Sequence, residues 1–205
     1  MRVRSVLSLV MLVGCARTEQ QPTGGPGSVA ASLEPRASAP PAASSPAPPV
    51  EARCLWPMLS LPPPPAARAA RCPLDNLLRP PALPHGRVVF SDAPGRPEVE
   101  IELAIEPADQ TRGLMFRREL APNGGMLFWG EQETVRRFWM HNTCIPLDML
   151  FVAKDLVIVG ILEQVPVLND ESRGVPCASA HVLEVNAGWA RGHGVRPGQR
   201  VLIER

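Results

Sequence analysis

The sequence predicts a mainly β domain, a compact sandwich or barrel with two short helices, preceded by a disordered proline-rich tether. Nineteen of the 25 prolines fall between Pro22 and Pro97, whereas eight of the nine aromatic residues lie from Phe90 onward. From Arg87 the chain also turns into short runs in which apolar and polar residues alternate, the pattern of half-buried strands. We therefore expect one folded domain over residues 87–205.

The first fifteen residues have the features of an export signal. Two arginines precede an apolar stretch over residues 6–13, and the letters LVGC at residues 12–15 form a lipobox. About eight apolar residues are too few to span a bilayer, which takes about 20. We expect residues 1–14 to be a lipoprotein signal peptide and Cys15 to carry the lipid that anchors the protein in the cell envelope. No aspartate follows Cys15, which favours the outer membrane over the inner one.

Residues 15–86 are expected to form the lipidated cysteine and a tether. Proline, alanine, serine and glycine dominate this stretch, and no periodic apolar face appears in it. Such a segment cannot bury enough apolar area to offset the loss of backbone entropy on folding. We expect it to hold the domain away from the membrane surface as a partly extended chain.

Four cysteines remain besides Cys15, namely Cys54, Cys72, Cys144 and Cys177. An even number in an oxidising compartment predicts two disulfides, and four cysteines allow three pairings. We favour the local scheme, which places one bridge (54–72) in the tether and one (144–177) in the domain. None of the four stands in a two-residue-spaced pair, so zinc is the weaker alternative.

The domain is predicted to consist of short strands joined by turns. Val88 and Phe90 lie in the first, and further strands are expected at residues 99–105, 125–129, 135–140, 149–152, 156–162, 181–186 and 200–204. One helix should begin at Pro107 and end near Gly113, and another should occupy residues 187–193. A series of short strands favours a sandwich or barrel over a βαβ fold.

Charge and the composition of the predicted loops exclude nucleic acid and nucleotides as expected ligands. Residues 98–205 carry eleven basic and fifteen acidic side chains, and no basic stripe interleaved with aromatic residues occurs in them. Nucleic acid is therefore not an expected partner. No glycine-rich phosphate loop follows any predicted strand, so neither a nucleotide nor another cofactor is expected.

Four motifs occur in order: GLMFR at 113–117, GMLF at 125–128, FWMHNTCIPLD at 138–148 and LEVNAG at 183–188. In these motifs the chain resembles the family known as domain of unknown function 192, over about residues 98–205. The resemblance implies a compact, mainly β fold of jelly-roll-like type and implies no activity. The family usually has an aliphatic residue at position 144, and Cys144 there fits a lineage-specific disulfide.

The third motif combines an aromatic ring, a thioether, an imidazole, an amide, a hydroxyl and a carboxylate within one loop. In the simplest interpretation these groups serve local structure. Asn142 and Thr143 would then bond to backbone, Asp148 would accept loop amides, and Trp139 and Met140 would fill the core. Loops on a rigid β scaffold are, however, also where binding and catalytic sites occur.

A binding module is the leading functional hypothesis. Trp139 or Trp129 would offer a stacking surface, with Arg117, Asn142 and Asp148 as polar contacts to a glycan or another envelope ligand. The hypothesis rests on analogy with jelly-roll folds that bind sugars.

A hydrolase or transferase is the first alternative, and it needs titratable groups at working distance. Asp148, Glu184 and His141 are the candidates, although no nucleophile elbow or metal triad accompanies them. Glu184 is otherwise expected to face outward or to pair with one of three arginines, Arg117, Arg118 or Arg137.

The second alternative is binding of Cu(I) by methionine thioethers. Met115, Met126 and Met140 all fall within the motifs, and thioethers are ligands for Cu(I). Methionine in an apolar context more often fills gaps in a core, which is the competing interpretation.

Overall fold

The computed structural model describes residues 53–76 and 82–205, and the predicted signal peptide and Cys15 lie outside these ranges. The described residues contain nine strands: β1 His85–Val89, β2 Glu98–Ala104, β3 Gly124–Phe128, β4 Phe138–Met140, β5 Leu147–Val152, β6 Ile158–Val165, β7 Asn169–Arg173, β8 His181–Asn186 and β9 Leu202–Glu204. Two short helices accompany them, α1 Pro107–Arg112 and α2 Trp189–Gly192. The predicted mainly β class with two short helices is confirmed. Within the described ranges, no helix has the length and apolarity needed to cross a membrane.

Seven strands form one curled sheet in the order β6-β5-β8-β3-β2-β1-β9. Neighbouring strands are antiparallel except for β2 and β3, which run parallel. The chain just before β9 also meets the chain at the start of β6, because Ile158 N donates to Gln199 O (2.9 Å) and Val201 N donates to Leu156 O (2.9 Å). The sheet therefore curls into a barrel-like body, beside which β4 and β7 form a two-stranded ribbon.

The curled sheet is apolar on both faces at β3, β5 and β8, which explains why β5 is buried along its whole length. One cluster draws on almost every strand of the sheet and fills its interior, with Leu103, Leu127, Leu150 and Leu183 among its members. A second cluster covers the outer face of β3, β5 and β8, with Met126, Phe128, Met149, Phe151 and Val182 among its members. Because strand residues alternate between faces, a residue's place in the alternation decides which cluster it joins.

The segment of residues 53–76, here called the strap, differs from the expected tether. Trp56 N donates to Val159 O of β6 (2.7 Å), and Ala69 N donates to the carbonyl oxygen of Cys144 (2.9 Å). A Cβ atom at Gly160 would lie 3.0 Å from Trp56 Cβ, so glycine at this position of β6 makes room for the strap. The strap therefore packs on the domain through these contacts, whereas the sequence predicts a disordered tether over residues 15–86.

The disulfides join the strap to the domain. Cys54 pairs with Cys177 and Cys72 pairs with Cys144, with Cα–Cα distances of 5.5 and 5.6 Å. The favoured local pairing, 54 with 72 and 144 with 177, is therefore wrong. Since the strap crosses two separate parts of the domain, each of its cysteines meets a different buried cysteine there.

Candidate functional site

Glu184 is the most unusual side chain of the domain. It lies in the middle of β8, where its cross-strand neighbours are Met126 of β3 and Met149 of β5. The residue is only 4% exposed, and its carboxyl group makes no hydrogen bond or ion pair within the described ranges. Burial among these apolar neighbours raises the pKa of Glu184 to about 8. The carboxyl group is therefore largely protonated at pH 7. Glu184 neither faces solvent nor pairs with an arginine, so both alternatives expected from the sequence are wrong, because packing on the outer face of the sheet covers this part of β8.

Glu184 lines a cavity of about 500 Å³ on the outer face of the sheet. Helix α1 with the turn that follows it forms one wall, and residues 134–139 form another. The aromatic and aliphatic lining consists of Pro107, Leu114, Met115, Phe128, Phe138 and Trp139. The polar and charged lining consists of Gln110, Thr111, Arg112, Thr134, Arg136, Arg137, Thr143 and Glu184.

Arg136 also lines the cavity, and within the described ranges its guanidinium group has no carboxylate partner. Its Nε donates to the carbonyl oxygen of Ser179 (3.1 Å), and its Nη2 donates to the carbonyl oxygen of Gln132 (3.3 Å). Burial lowers the pKa of Arg136. A Cβ atom at Gly130 would fall 1.7 Å from Arg136 Nη2, so this glycine leaves the space that the guanidinium occupies.

Trp139 forms part of the lining and is still 47% exposed. Its ring stacks on the imidazole of His141, with 4.9 Å between the ring centroids. His141 Nδ1 lies 2.7 Å from Asp170 Oδ1, which fixes the imidazole beside the tryptophan. The neighbouring Asn142 has a left-handed backbone (φ 51°), and its carbonyl oxygen accepts from Phe116 N (2.8 Å). Trp139 is therefore held in place by a turn rather than buried in the core.

The carboxylate of Asp148 holds the chain that follows β8 in place by hydrogen bonds to its backbone. It is fully buried, and its carboxylate accepts from the backbone N–H groups of Gln164 (3.0 Å), Gly188 (3.0 Å) and Ala190 (3.1 Å). Burial raises its pKa, while these three hydrogen bonds act in the opposite direction. The interpretation of Asp148 as an acceptor of loop amides fits this geometry.

Asp148 and Glu184 do not come together. Asp148 pairs in register with Val185, and Glu184 pairs with Met149, so the two carboxyl groups project from opposite faces of the sheet. His141 stands apart from the cavity lining, bonded to Asp170. The structure therefore does not assemble the three candidate catalytic residues into one site.

We expect Asp148→Asn to lower the free energy of unfolding by about 2 to 3 kcal/mol. An amide can keep the two bonds made by Oδ1 but turns an NH₂ group toward the N–H of Ala190. Chemical denaturation measures the loss. Asp170→Asn is the matched control, since Asp170 is exposed and should change stability by less than about 0.5 kcal/mol. Equal small effects of both substitutions would contradict the bracing role.

Two other predicted ligand contacts lie away from the cavity. Trp129 packs against the interior cluster, stacks on His181 with 4.0 Å between ring centroids, and is covered by the guanidinium of Arg205 at 4.1 Å. Arg117 forms a two-pronged ion pair with Glu102, at 2.5 and 2.6 Å. Neither residue belongs to the lining with Glu184.

The three methionines proposed for Cu(I) have different surroundings. Met126 and Met140 are buried in the outer cluster, whereas Met115 is half-buried and lines the cavity. Among the described residues, no group of three or more histidine, cysteine, aspartate or glutamate side chains could hold a metal ion. The packing of Met126 and Met140 is that of core residues.

Comparison with known proteins identifies the family of the chain. The family model of domain of unknown function 192, described as an uncharacterised ACR, matches residues 89–203. The chain belongs to this family. The match spans more than half of the chain and every strand from β2 to β8, so the cavity and Glu184 lie within the part that defines the domain of unknown function 192.

The solved structures that are similar to the chain include the following two proteins. A Sinorhizobium meliloti 1021 protein described as a proposed transcription regulator is 37% identical, with a TM-score of 0.58 over 61% of this chain and 98% of its own. A Novosphingobium aromaticivorans DSM 12444 protein of unknown function is 32% identical, with a TM-score of 0.56 over 66% of this chain and 94% of its own. No curated protein matches the chain.

Sequence reasoning missed several residues of the cavity in this member of the family. Gln110, Thr111 and Arg136 were not candidates, because no motif singles them out and only the fold brings them beside Glu184. Thr143 was assigned a local role alone, and its hydroxyl does donate to the carbonyl oxygen of His141 (3.2 Å). The only signal in the sequence was the pair of adjacent arginines just before the third motif.

Proposed function

We propose that the protein is an envelope-anchored lipoprotein whose β domain binds a small polar ligand, best matched by a saccharide, in the cavity lined by Glu184. The observation that carries the proposal is the carboxyl group of Glu184. It is buried, lines a cavity of about 500 Å³ and has no protein partner in the described ranges. A ligand would supply the hydrogen bonds that this group lacks.

The free energy of folding supports a ligand-binding role for Glu184. The carboxyl group ionises freely in the unfolded chain, but it must take up a proton at pH 7 to be buried, and this costs stability. Groups that cost stability in this way concentrate at functional sites. A purely structural position among methionines would be better filled by an apolar side chain.

The remaining lining fits a ligand rich in hydroxyl groups. Thr111 Oγ1 donates to the carbonyl oxygen of Pro107 (2.8 Å), and Thr143 Oγ1 donates to that of His141, so both hydroxyls are left as acceptors. The exposed ring of Trp139 offers an apolar face of the kind that stacks on a pyranose ring. A cavity of this volume is in the usual range for small-molecule sites.

Binding fits the geometry better than hydrolysis. Among the described lining residues, Glu184 is the only carboxyl group and no histidine accompanies it. General acid–base catalysis needs a second group with a complementary role at working distance. The description of the S. meliloti relative as a proposed transcription regulator does not extend to this chain, since residues 98–205 have more acidic than basic side chains.

We expect Trp139→Ala to abolish saccharide binding while lowering the free energy of unfolding by less than about 1 kcal/mol. The side chain is half exposed, so its removal leaves no large cavity in the core. The full-length chain is titrated by calorimetry with a panel of neutral, N-acetylated and acidic mono- and disaccharides.

The matched control for this substitution is Trp189→Ala. Trp189 is buried against Phe90 and should cost about 3 to 5 kcal/mol of stability. Because Trp189 lies in the interior cluster, the folded fraction of this variant should still bind. A panel with no binding sugar for the wild-type chain would overturn the proposed function.

Anchoring is proposed from residues outside the described ranges. We expect Cys15→Ala to remain an unprocessed precursor and to incorporate no labelled fatty acid, because the lipid attaches to the cysteine that follows the signal peptide. Metabolic labelling and membrane fractionation measure both. Normal processing of the variant would indicate an ordinary secreted protein instead.

A further inference from the structure

Basic residues outnumber acidic ones in the lining of the cavity with Glu184. Arg112, Arg136 and Arg137 contribute to its lining, and Glu184 is the only carboxyl group of the described residues that does so. Burial raises the pKa of Glu184 to about 8, so the carboxyl group adds little negative charge at pH 7. Among the described lining residues, an anionic group would therefore find three arginines and no fully ionised carboxylate.

The three arginines differ in what their guanidinium groups already contact. Arg112 forms an ion pair with Asp75, and Arg137 donates to the side chain and backbone of Ser172. Arg136 is held by two backbone carbonyl oxygens, which leave its charge uncompensated. A guanidinium has five N–H donors, so Arg136 retains donors for a ligand.

The contacts of Arg136 also fix its orientation. The carbonyl oxygens of Ser179 and Gln132 accept from Nε and Nη2, and Gly130 leaves the space that the group fills. A planar guanidinium held in this way is organised in advance to bind a planar carboxylate with two hydrogen bonds. A partly buried cation without a counter-ion gains most from such a partner.

We propose that the cavity selects saccharides that carry a carboxylate group, with Arg136 binding the carboxylate and Glu184 binding ring hydroxyls. The proposal rests on the function proposed above and names the ligand class for the same cavity. Either a uronic acid or an amino sugar with a lactyl ether would supply a carboxylate on a sugar ring. The test separates these two sources.

The experiment uses two pairs of sugars that differ only in the acidic group. Methyl glucuronide is compared with methyl glucoside, and N-acetylmuramic acid with N-acetylglucosamine, by calorimetry on the full-length chain at pH 7. We expect the acidic member of at least one pair to bind at least about tenfold more tightly, since a charge-assisted pair of hydrogen bonds is the difference. The pair that shows the preference identifies the source of the carboxylate.

Variants assign the preference to Arg136. Arg136→Gln should reduce the acidic preference to less than about twofold, and Arg136→Lys should give an intermediate value. Arg200→Gln is the control, because Arg200 is exposed, lies outside the cavity and changes the net charge equally. Its acidic preference should equal that of the wild-type chain.

The outcomes separate the two proposals. Equal affinity for the acidic and neutral members of both pairs overturns the selection for a carboxylate and leaves saccharide binding standing. An acidic preference that survives in a folded Arg136→Gln variant, checked by its melting temperature, also overturns the role of Arg136. Failure of every sugar in the panel to bind overturns both proposals.

Discussion

We expect Glu184→Gln to make the protein more stable at pH 7, by about 3 kcal/mol in the free energy of unfolding. The pKa of the Glu184 carboxyl rises from an ordinary 4.5 in the unfolded chain to about 8 in the folded one, because the group is desolvated. At pH 7 the wild-type chain must therefore bind a proton in order to fold. Glutamine has nearly the same shape and a comparable polarity to the neutral acid, but it needs no proton.

The sign of the pH dependence follows from the same shift. The folded protein binds more protons than the unfolded chain between pH 4.5 and 8, so the contribution of Glu184 to stability is fully present below pH 4.5 and falls as the pH rises toward 8. We expect the wild-type chain to lose about 2 kcal/mol between pH 6.5 and 8 through this group. The contribution is absent in Glu184→Gln.

The stability of the two proteins is compared at pH 6.5 and above, because His181 also titrates at lower pH. Burial, assisted by the positive charges of Arg136 and Arg205, lowers the pKa of His181 to about 4. Its contribution to stability therefore rises between pH 4 and 6.5 and opposes that of Glu184 over this range. Urea denaturation of the wild-type chain and Glu184→Gln at pH 6.5, 7 and 8 isolates Glu184, since other groups cancel in the difference.

Glu163→Gln is the matched control for the effect of Glu184. The side chain of Glu163 is also buried, but it forms an ion pair with Arg191 at 2.7 Å. Its replacement should destabilise the protein, because the partner loses its counter-ion. If Glu184→Gln were no more stable than the wild-type chain at pH 8, the carboxyl group would have to be ionised and satisfied in the folded protein.

The strands that carry apolar alternation could be predicted from the sequence. Residues 181–186 coincide with β8, and the other predicted strands overlap the observed ones, because most of them have one or both faces buried. Strand β7 (Asn169–Arg173) was missed, since its five residues are all polar and its register with β4 comes from tertiary contact. Local patterns do not encode such a pairing.

The chemistry of the site was only half visible in the sequence. Glu184 is a charged residue in an otherwise apolar strand. Because both faces of β8 are buried, the alternation of residues could not show whether its carboxyl group pairs with an arginine or lines a cavity. Trp139 and Asp148 were equally prominent in one motif, although one lines the cavity and the other braces a loop on the opposite face of the sheet. The register of β5 and β8 places Asp148 on the face opposite Glu184, and Trp139 lies on the separate strand β4.

The position of the strap could not be predicted from its composition, because composition describes the stiffness of a chain and not its long-range contacts. Its prolines give no periodic apolar face, which is typical of a tether. The contacts that hold it are two disulfides between residues 123 and 72 positions apart and isolated hydrogen bonds such as that of Ala66 N to Gln164 Oε1 (3.0 Å). Four cysteines allow three pairings, and no local feature of the sequence selects among them.

Removal of either disulfide should be among the most destabilising of the changes considered. Cys54→Ala with Cys177→Ala, and Cys72→Ala with Cys144→Ala, each open a long loop of the unfolded chain. The chain-entropy relation gives a loss of about 4 to 5 kcal/mol for each pair. Urea denaturation under non-reducing conditions measures it, and losses below about 1 kcal/mol for both pairs would show that the strap is not covalently held.

A single substitution distinguishes the observed pairing from the local one. In Cys54→Ala the structure leaves the thiol of Cys177 without a partner, whereas a 54–72 bridge would leave that of Cys72. Alkylation of the denatured, unreduced variant followed by peptide mapping identifies the labelled cysteine directly. We expect the label on Cys177 and a loss of stability close to that of the double variant, because the same loop is opened in both. Label on Cys72 would restore the local scheme and would detach the strap from the buried cysteines on which its position depends.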